Sequence, residues 1–166
     1  MSQVYRVLRK KYAGAPFDGE GAYRYGGRWS SPGVRLSYTS EHESLALLEY
    51  FVHLDEADAP ADLVLATAEI PEDISREVAK ITQLPANWRD PTSPPELARM
   101  GDDFVSRGQN CLLLVPSVLA PSENSWLINP AHPDFKRIIM GHIDPISYDP
   151  RMLEKRRHGR RHTSRI

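Results

Sequence analysis

The sequence predicts an α+β domain built on a largely antiparallel sheet. Two observations carry this. Strand patterns dominate the second half of the chain, and no strand–helix–strand alternation appears anywhere along it. A third bounds the size: 166 residues with 40% hydrophobic and 26% charged residues suit one domain with one buried core.

The elements follow in order. Residues 4–8 alternate as a strand does. Residues 10–29 hold Gly14, Gly19, Gly21, Gly26 and Gly27, which predicts a long irregular connection. Its aromatics (Tyr12, Phe17, Tyr23, Tyr25 and Trp29) argue that it is ordered, and ordered loops of this length are usually functional. Residues 34–39 read as a strand with Val34, Leu36 and Tyr38 on one face.

A helix is expected at once, with Ser40 and Glu43 as a capping box and its end near Leu54. Leu45, Leu47, Leu48, Phe51 and Val52 cover much of its circumference, which predicts a well-buried helix. Residues 63–70 form a strand stopped by Pro71, and residues 72–81 fit neither period cleanly. Thr92 or Ser93 can cap a second helix that takes Pro94 and Pro95 in its first turn, runs to Arg107 and closes at Gly108. Residues 111–115, 126–128, 137–140 and 143–148 are further strands.

Composition excludes several classes. Runs such as 111–115 are far too short to span a bilayer. The first eleven residues carry Arg6, Arg9, Lys10 and Lys11 and no apolar signal core, so a cytosolic protein is expected. One cysteine, Cys111, excludes an internal disulfide and a cysteine-rich metal site. The net charge of −1 hides an asymmetry. Residues 151–166 carry seven basic residues against one acid, and the rest of the chain is acidic. The segment reads as a flexible basic tail, without the interleaved aromatics that single-stranded nucleic acid calls for, so no direct nucleic-acid contact is expected.

Known fingerprints are missing. No phosphate loop occurs, and Gly19-Glu20-Gly21 lacks the third glycine and the setting of a dinucleotide turn. The six histidines show no metal spacing with a third ligand, so no metal is expected.

Polar residues in apolar or glycine-rich settings remain. In Gly26-Gly27-Arg28-Trp29 the glycines permit close backbone approach and Arg28 offers a planar fork for phosphate or carboxylate; the plainer alternative is a turn with its arginine in water. Glu49, on a nearly apolar helix, either pairs with an arginine, faces the surface or serves a site. Tyr38 is either a rim tyrosine of the core or a ligand contact. Ser117 follows an apolar strand. Asn129-Pro130-Ala131-His132-Pro133 is a rigid turn whose asparagine caps or binds.

As an ordered series these stretches are far more specific than any one of them. Tyr5-Arg6, Gly21-Ala22 through Ser30, Tyr38-Thr39-Ser40, Ala46-Leu47-Leu48-Glu49, Val115-Pro116-Ser117 and residues 129–133 together resemble the RES-domain proteins, named for Arg, Glu and Ser. The resemblance covers residues 1–150 as one RES domain and leaves 151–166 as the tail. Ser30 departs from it, since asparagine is expected there.

The resemblance implies an ADP-ribosyltransferase-like fold and a bacterial toxin that degrades NAD at the nicotinamide–ribose bond, as a phosphorylase or a glycohydrolase. The alternative is ADP-ribosylation of a protein. NAD is then substrate rather than cofactor, and inorganic phosphate a candidate co-substrate. The implied partner is an Xre-type helix-turn-helix antitoxin that blocks the site, with a homodimer as one arrangement of the complex. Arg28, Tyr38 and Glu49 are implied as catalytic. Arg6, Gly27, Trp29, Ser117 and Asn129 are implied as substrate-binding.

Overall fold

A computed structural model describes residues 1–54 and 59–153. Residues 154–166, which hold most of the basic tail, lie outside the described residues. Seven strands form one mixed sheet: β1 (Ser2–Arg9), β2 (Ser37–Ser40), β3 (Leu63–Ile70), β4 (Arg76–Val78), β5 (Leu112–Pro116), β6 (Asn124–Ile128) and β7 (Ile139–Pro145). Their order is β4-β5-β6-β2-β1-β3-β7, and only β4 and β5 pair in parallel. The helices are α1 (Glu20–Tyr25), α2 (Glu43–Phe51) and α3 (Pro95–Arg107). The expected α+β class with a mostly antiparallel sheet is what the chain forms.

The sheet is nearly two sheets. β1 runs in full register with β3, from Ser2 opposite Ile70 to Arg9 opposite Leu63. β2 runs in full register with β6. Between these halves, β1 and β2 share a single paired position, Tyr5 with Ser40.

Strand alternation sends side chains to two layers. Val4, Leu8, Ala66, Ala68, Leu112, Trp126 and Ile128 fill one face, closed by Phe17 and Ile74. On the other face the halves carry separate helices. Val7, Leu63 and Leu65 pack on Ala46 of α2. Leu113, Val115 and Leu127 pack with Trp29, Trp88 and the Leu97 and Phe104 side chains of α3.

Several elements differ from the sequence reading. The glycine-rich stretch holds a helix, α1, because its glycines punctuate rather than dissolve it. Gly19 (φ 71°) starts α1 in the left-handed region and Gly26 (φ 70°) ends it, while Glu20 and Arg24 pair across the turn at 2.7 Å. β2 begins at Ser37 rather than Val34, since residues 31–34 close a turn through the Val34 amide and the Ser31 carbonyl.

The capping box does not form. Ser40 is buried in β2 and α2 begins beyond His42, without a side-chain cap. α2 ends at Phe51, and it is buried only along Leu45 and Ala46; Leu48 and Val52 are 38% and 40% exposed. α3 matches its expected ends, with Gly108 as left-handed C-cap, but Ser93 bonds the Arg28 carbonyl instead of capping it. Residues 76–78 of the ambiguous stretch are a strand. The two expected strands after residue 136 are one, β7, bulged opposite Thr67. β7 is an edge strand exposed along its whole length.

Gly101 fixes the seat of α3. A Cβ at this position would lie 1.6 Å from the Trp29 carbonyl oxygen, so helix and loop meet backbone to backbone. Glycine costs an isolated helix about 1 kcal/mol relative to alanine. Gly101→Ala is nevertheless expected to destabilise by about 3 kcal/mol through overpacking, a fall of roughly 10 °C in melting temperature. A rise in thermal midpoint, as helix propensity alone dictates, would show that the contact is not made.

Candidate active site

The site grows from the loop between α1 and β2. Gly27 and Ser30 exchange backbone hydrogen bonds, Gly27 N–H to the Ser30 carbonyl at 2.9 Å and Ser30 N–H to the Gly27 carbonyl at 3.4 Å. This makes a tight hairpin with Arg28 and Trp29 at its tip. The Trp29 ring is buried in the core beside α3.

Tyr38 holds the hairpin from below. Its hydroxyl accepts the Trp29 N–H at 3.0 Å and hydrogen-bonds Ser30 Oγ at 2.9 Å. Gly27 rests on the same ring, and a Cβ there would lie 2.6 Å from the hydroxyl oxygen. Burial pushes the Tyr38 phenol up to about 12, against the opposing pull of these hydrogen bonds.

Arg28 leaves the hairpin tip half-buried and anchored. Its Nη1 donates to the Trp88 carbonyl at 3.0 Å and its Nη2 to the Asp90 carbonyl at 2.9 Å. Desolvation lowers its pKa, and the Glu49 carboxylate acts on it in the opposite direction. Arg89 Nε donates to the Val118 carbonyl at 3.1 Å, which brings the segment that anchors Arg28 beside the turn that carries Ser117. Glu49 stands on α2, half-buried, and its Oε1 accepts a 2.7 Å hydrogen bond from Ser117 Oγ. Ser117 is 1% exposed, and its Oγ also accepts the Leu119 and Ala120 amides. The turn after β5 therefore aims the serine at the carboxylate. The Glu41 carboxylate accepts the Asn124 amide at 2.7 Å, which ties the start of α2 to β6.

Arg28, Tyr38, Glu49, Ser117, Gly27 and Trp29 thus converge. Arg6 and Asn129 have other neighbours. Arg6 Nη1 donates to Ser37 Oγ at 2.9 Å, across the opening between β1 and β2. Burial lowers its pKa, partly offset by Asp18. Asn129 Oδ1 accepts the Ala131 amide at 3.0 Å, at the opposite end of β6 from the Ser117 turn. Sequence reasoning missed the helix α3 face, where Gly101 meets Trp29 and Asp102 Oδ1 accepts the Ser31 amide at 2.9 Å. A glycine in mid-helix was the available signal.

Glu41, His42 and Glu123 could offer ligand atoms within 4.8 Å of one another, but these groups are already engaged with Asn124 and with each other. No helix among the described residues is long and apolar enough to cross a membrane.

Comparison with known proteins gives the class. The family model described as RES domain matches residues 3–149, and the chain belongs to that family. It is 37% identical over 148 residues to the "Prs ADP-ribosylating toxin" of Sphingobium sp. (strain YBL2), covering 88% of this chain and 92% of that protein. It is 33% identical over 151 residues to "Toxin Res" of Yersinia enterocolitica, covering 90% and 98%. Its fold matches a chain of the M. tuberculosis MbcT–MbcA toxin–antitoxin complex, with a TM-score of 0.71, 16% identity and coverage of 93% and 87%.

The Tyr38 phenol supplies a spectroscopic test. With a folded pKa near 12 against an ordinary 10, its contribution to stability is present below pH 10 and is lost as pH rises through 12. Phenolate absorbance at about pH 11 is expected to match between the parent and Tyr38→Phe, with the parent gaining one phenolate only near pH 12. Loss of one phenolate from Tyr38→Phe already at pH 10 would place the hydroxyl in water.

Proposed function

We propose that this chain is the toxin of a toxin–antitoxin pair and that it consumes NAD by cleaving the nicotinamide–ribose bond. The observation that carries the reading is the half-buried Glu49 carboxylate, fixed by Ser117 on a turn that meets the segment anchoring the Arg28 guanidinium.

Cleavage breaks the C–N bond with its electron pair leaving on nicotinamide, which departs neutral. Positive charge develops on the ribose. A half-buried carboxylate can hold the ribose hydroxyls and stabilise that charge, as carboxylates do in glycoside cleavage. Preorganised groups of this kind are worth on the order of 3 kcal/mol each. Arg28 keeps unused N–H donors beyond its two carbonyl bonds, and these suit the diphosphate or an incoming phosphate. Tyr38, its hydroxyl committed to the hairpin, offers a ring edge rather than a proton. Ser117 orients Glu49. Arg6 and Gly27 complete the substrate-binding set, whereas the Trp29 ring, buried in the core, and Asn129, at the far end of β6, serve the framework around it.

The nucleophile that captures the ribose is phosphate or water, with release of its proton. A second reading, transfer of ADP-ribose to a protein, is favoured by the name of the Sphingobium relative. The partner is an Xre-type helix-turn-helix antitoxin that covers the site; that the fold neighbour comes from a toxin–antitoxin complex supports an antitoxin as partner. The pair acts in the cytosol, where NAD is available. No resident cofactor is needed.

Purified chain incubated with NAD, with and without phosphate, separates these outcomes by mass spectrometry. Free ADP-ribose marks hydrolysis, its phosphorylated form marks phosphorolysis, and label retained on protein marks transfer. If NAD survives intact both with and without phosphate, the reading fails.

Glu49→Gln preserves an acceptor for Ser117 and removes the charge. NAD cleavage is expected to fall about a hundredfold with a near-parental thermal midpoint. A much lower midpoint with a normal rate would mark a structural carboxylate. Arg28→Lys is expected to be nearly as inactive as Arg28→Ala, because an ammonium cannot span the Trp88 and Asp90 carbonyls while engaging a ligand.

A further inference from the structure

We infer that α3 is the clasp that positions Arg28, and that Asp102 is its key positioning residue. This rests on the functional reading above and adds to it a residue from an element that contributes no ligand contact.

The hairpin is held from two sides. β2 holds it through the Tyr38 hydroxyl. The second side is built wholly from α3 and the segment that leads into it. The Trp88 and Asp90 carbonyls take the guanidinium, Ser93 Oγ donates to the Arg28 carbonyl at 3.4 Å, and Asp102 Oδ1 accepts the Ser31 amide at 2.9 Å. Between these points the Trp29 backbone lies flat on Gly101. Arg28 is thus gripped at its backbone, its side chain and the residue three places on.

Among the groups of α3 and its lead-in segment that make these holds, Asp102 is the charged one, and a charged acceptor makes the stronger bond to an amide. It reaches the hairpin where the chain leaves for Pro32, the point at which a small swing would carry Arg28 through the largest arc. An α3 helix anchored by Leu97 and Phe104, 0% and 1% exposed, gives Asp102 a rigid base. Asp102 bonds the hairpin through the Ser31 amide, so it acts through the loop.

Asp102→Ala removes the acceptor, whereas Asp102→Asn keeps Oδ1 in place and removes only the charge. A displaced Arg28 weakens a contact made to bound substrate as well as to the transition state, so KM should carry the effect. Asp102→Ala is expected to raise KM for NAD about tenfold with kcat within twofold, consistent with displacement of about 1 Å or less. Asp102→Asn should recover most of that loss. A merely structural role would reduce the folded fraction, lowering apparent kcat at unchanged KM.

Hydrogen exchange on the same variants provides a readout independent of catalysis. Amides of residues 27–31 should exchange faster in Asp102→Ala and return towards parental rates in Asp102→Asn, with the β1–β3 ladder unchanged. If the parent consumes no NAD, the functional reading falls and exchange alone judges the clasp. An unchanged KM in an active Asp102→Ala variant, or parental exchange at residues 27–31, overturns it.

Discussion

The Tyr38 hydroxyl is the contact on which the site depends. One oxygen, in the wall of the sheet, satisfies the Trp29 amide and Ser30 Oγ together. Buried donors left without a partner cost about 1–3 kcal/mol each, so the hairpin cannot lift from β2 without losing both bonds. Arg28 inherits its position from this constraint. Gly27 completes it, since only a residue without a Cβ lies flat on the ring. The aromatic side chain therefore serves as the foundation of the hairpin.

The second constraint is the near-division of the sheet. With a single paired position between β1 and β2, each half carries its own helix on the shared face. Glu49 arrives on the helix of the β1–β3 half. Arg28 arrives on a hairpin held by the other. Their relation is fixed by polar bonds that cross the divide: Ser117 to Glu49, Glu41 to Asn124, and Arg6 to Ser37. Side chains thus replace the missing ladder.

Much of this was legible in the sequence, for physical reasons. β3 and β5 announce themselves through apolar-rich runs stopped at Pro71 and Pro116, and α3 through Pro94, Pro95 and Gly108. The converging residues Arg28, Tyr38, Glu49 and Ser117 stood out because each is polar in an apolar or glycine-rich setting. The failures have causes too. Local capping rules pointed to Ser40, but pairing with Ser125 claimed that residue for the sheet. Glycines read as loop formers instead bracketed α1. Asp102 and the carbonyls of Trp88 and Asp90 were invisible, because a backbone acceptor or a helix-surface acid carries no pattern until the fold brings a loop against it.

The outer margin of the sheet carries a last consequence. β7 leaves Ile139, Met140 and Ile143 42–50% exposed beside unpaired backbone groups, a surface on which another strand could lay itself and recruit a further one in turn. Its irregularities oppose that. The bulge opposite Thr67 breaks the repeat, Asp144 sets a charge at the rim, and Pro145 removes a donor where the strand stops. What guards a margin this apolar is its crookedness, and a substitution that straightened it would lengthen the regular edge open to a further strand.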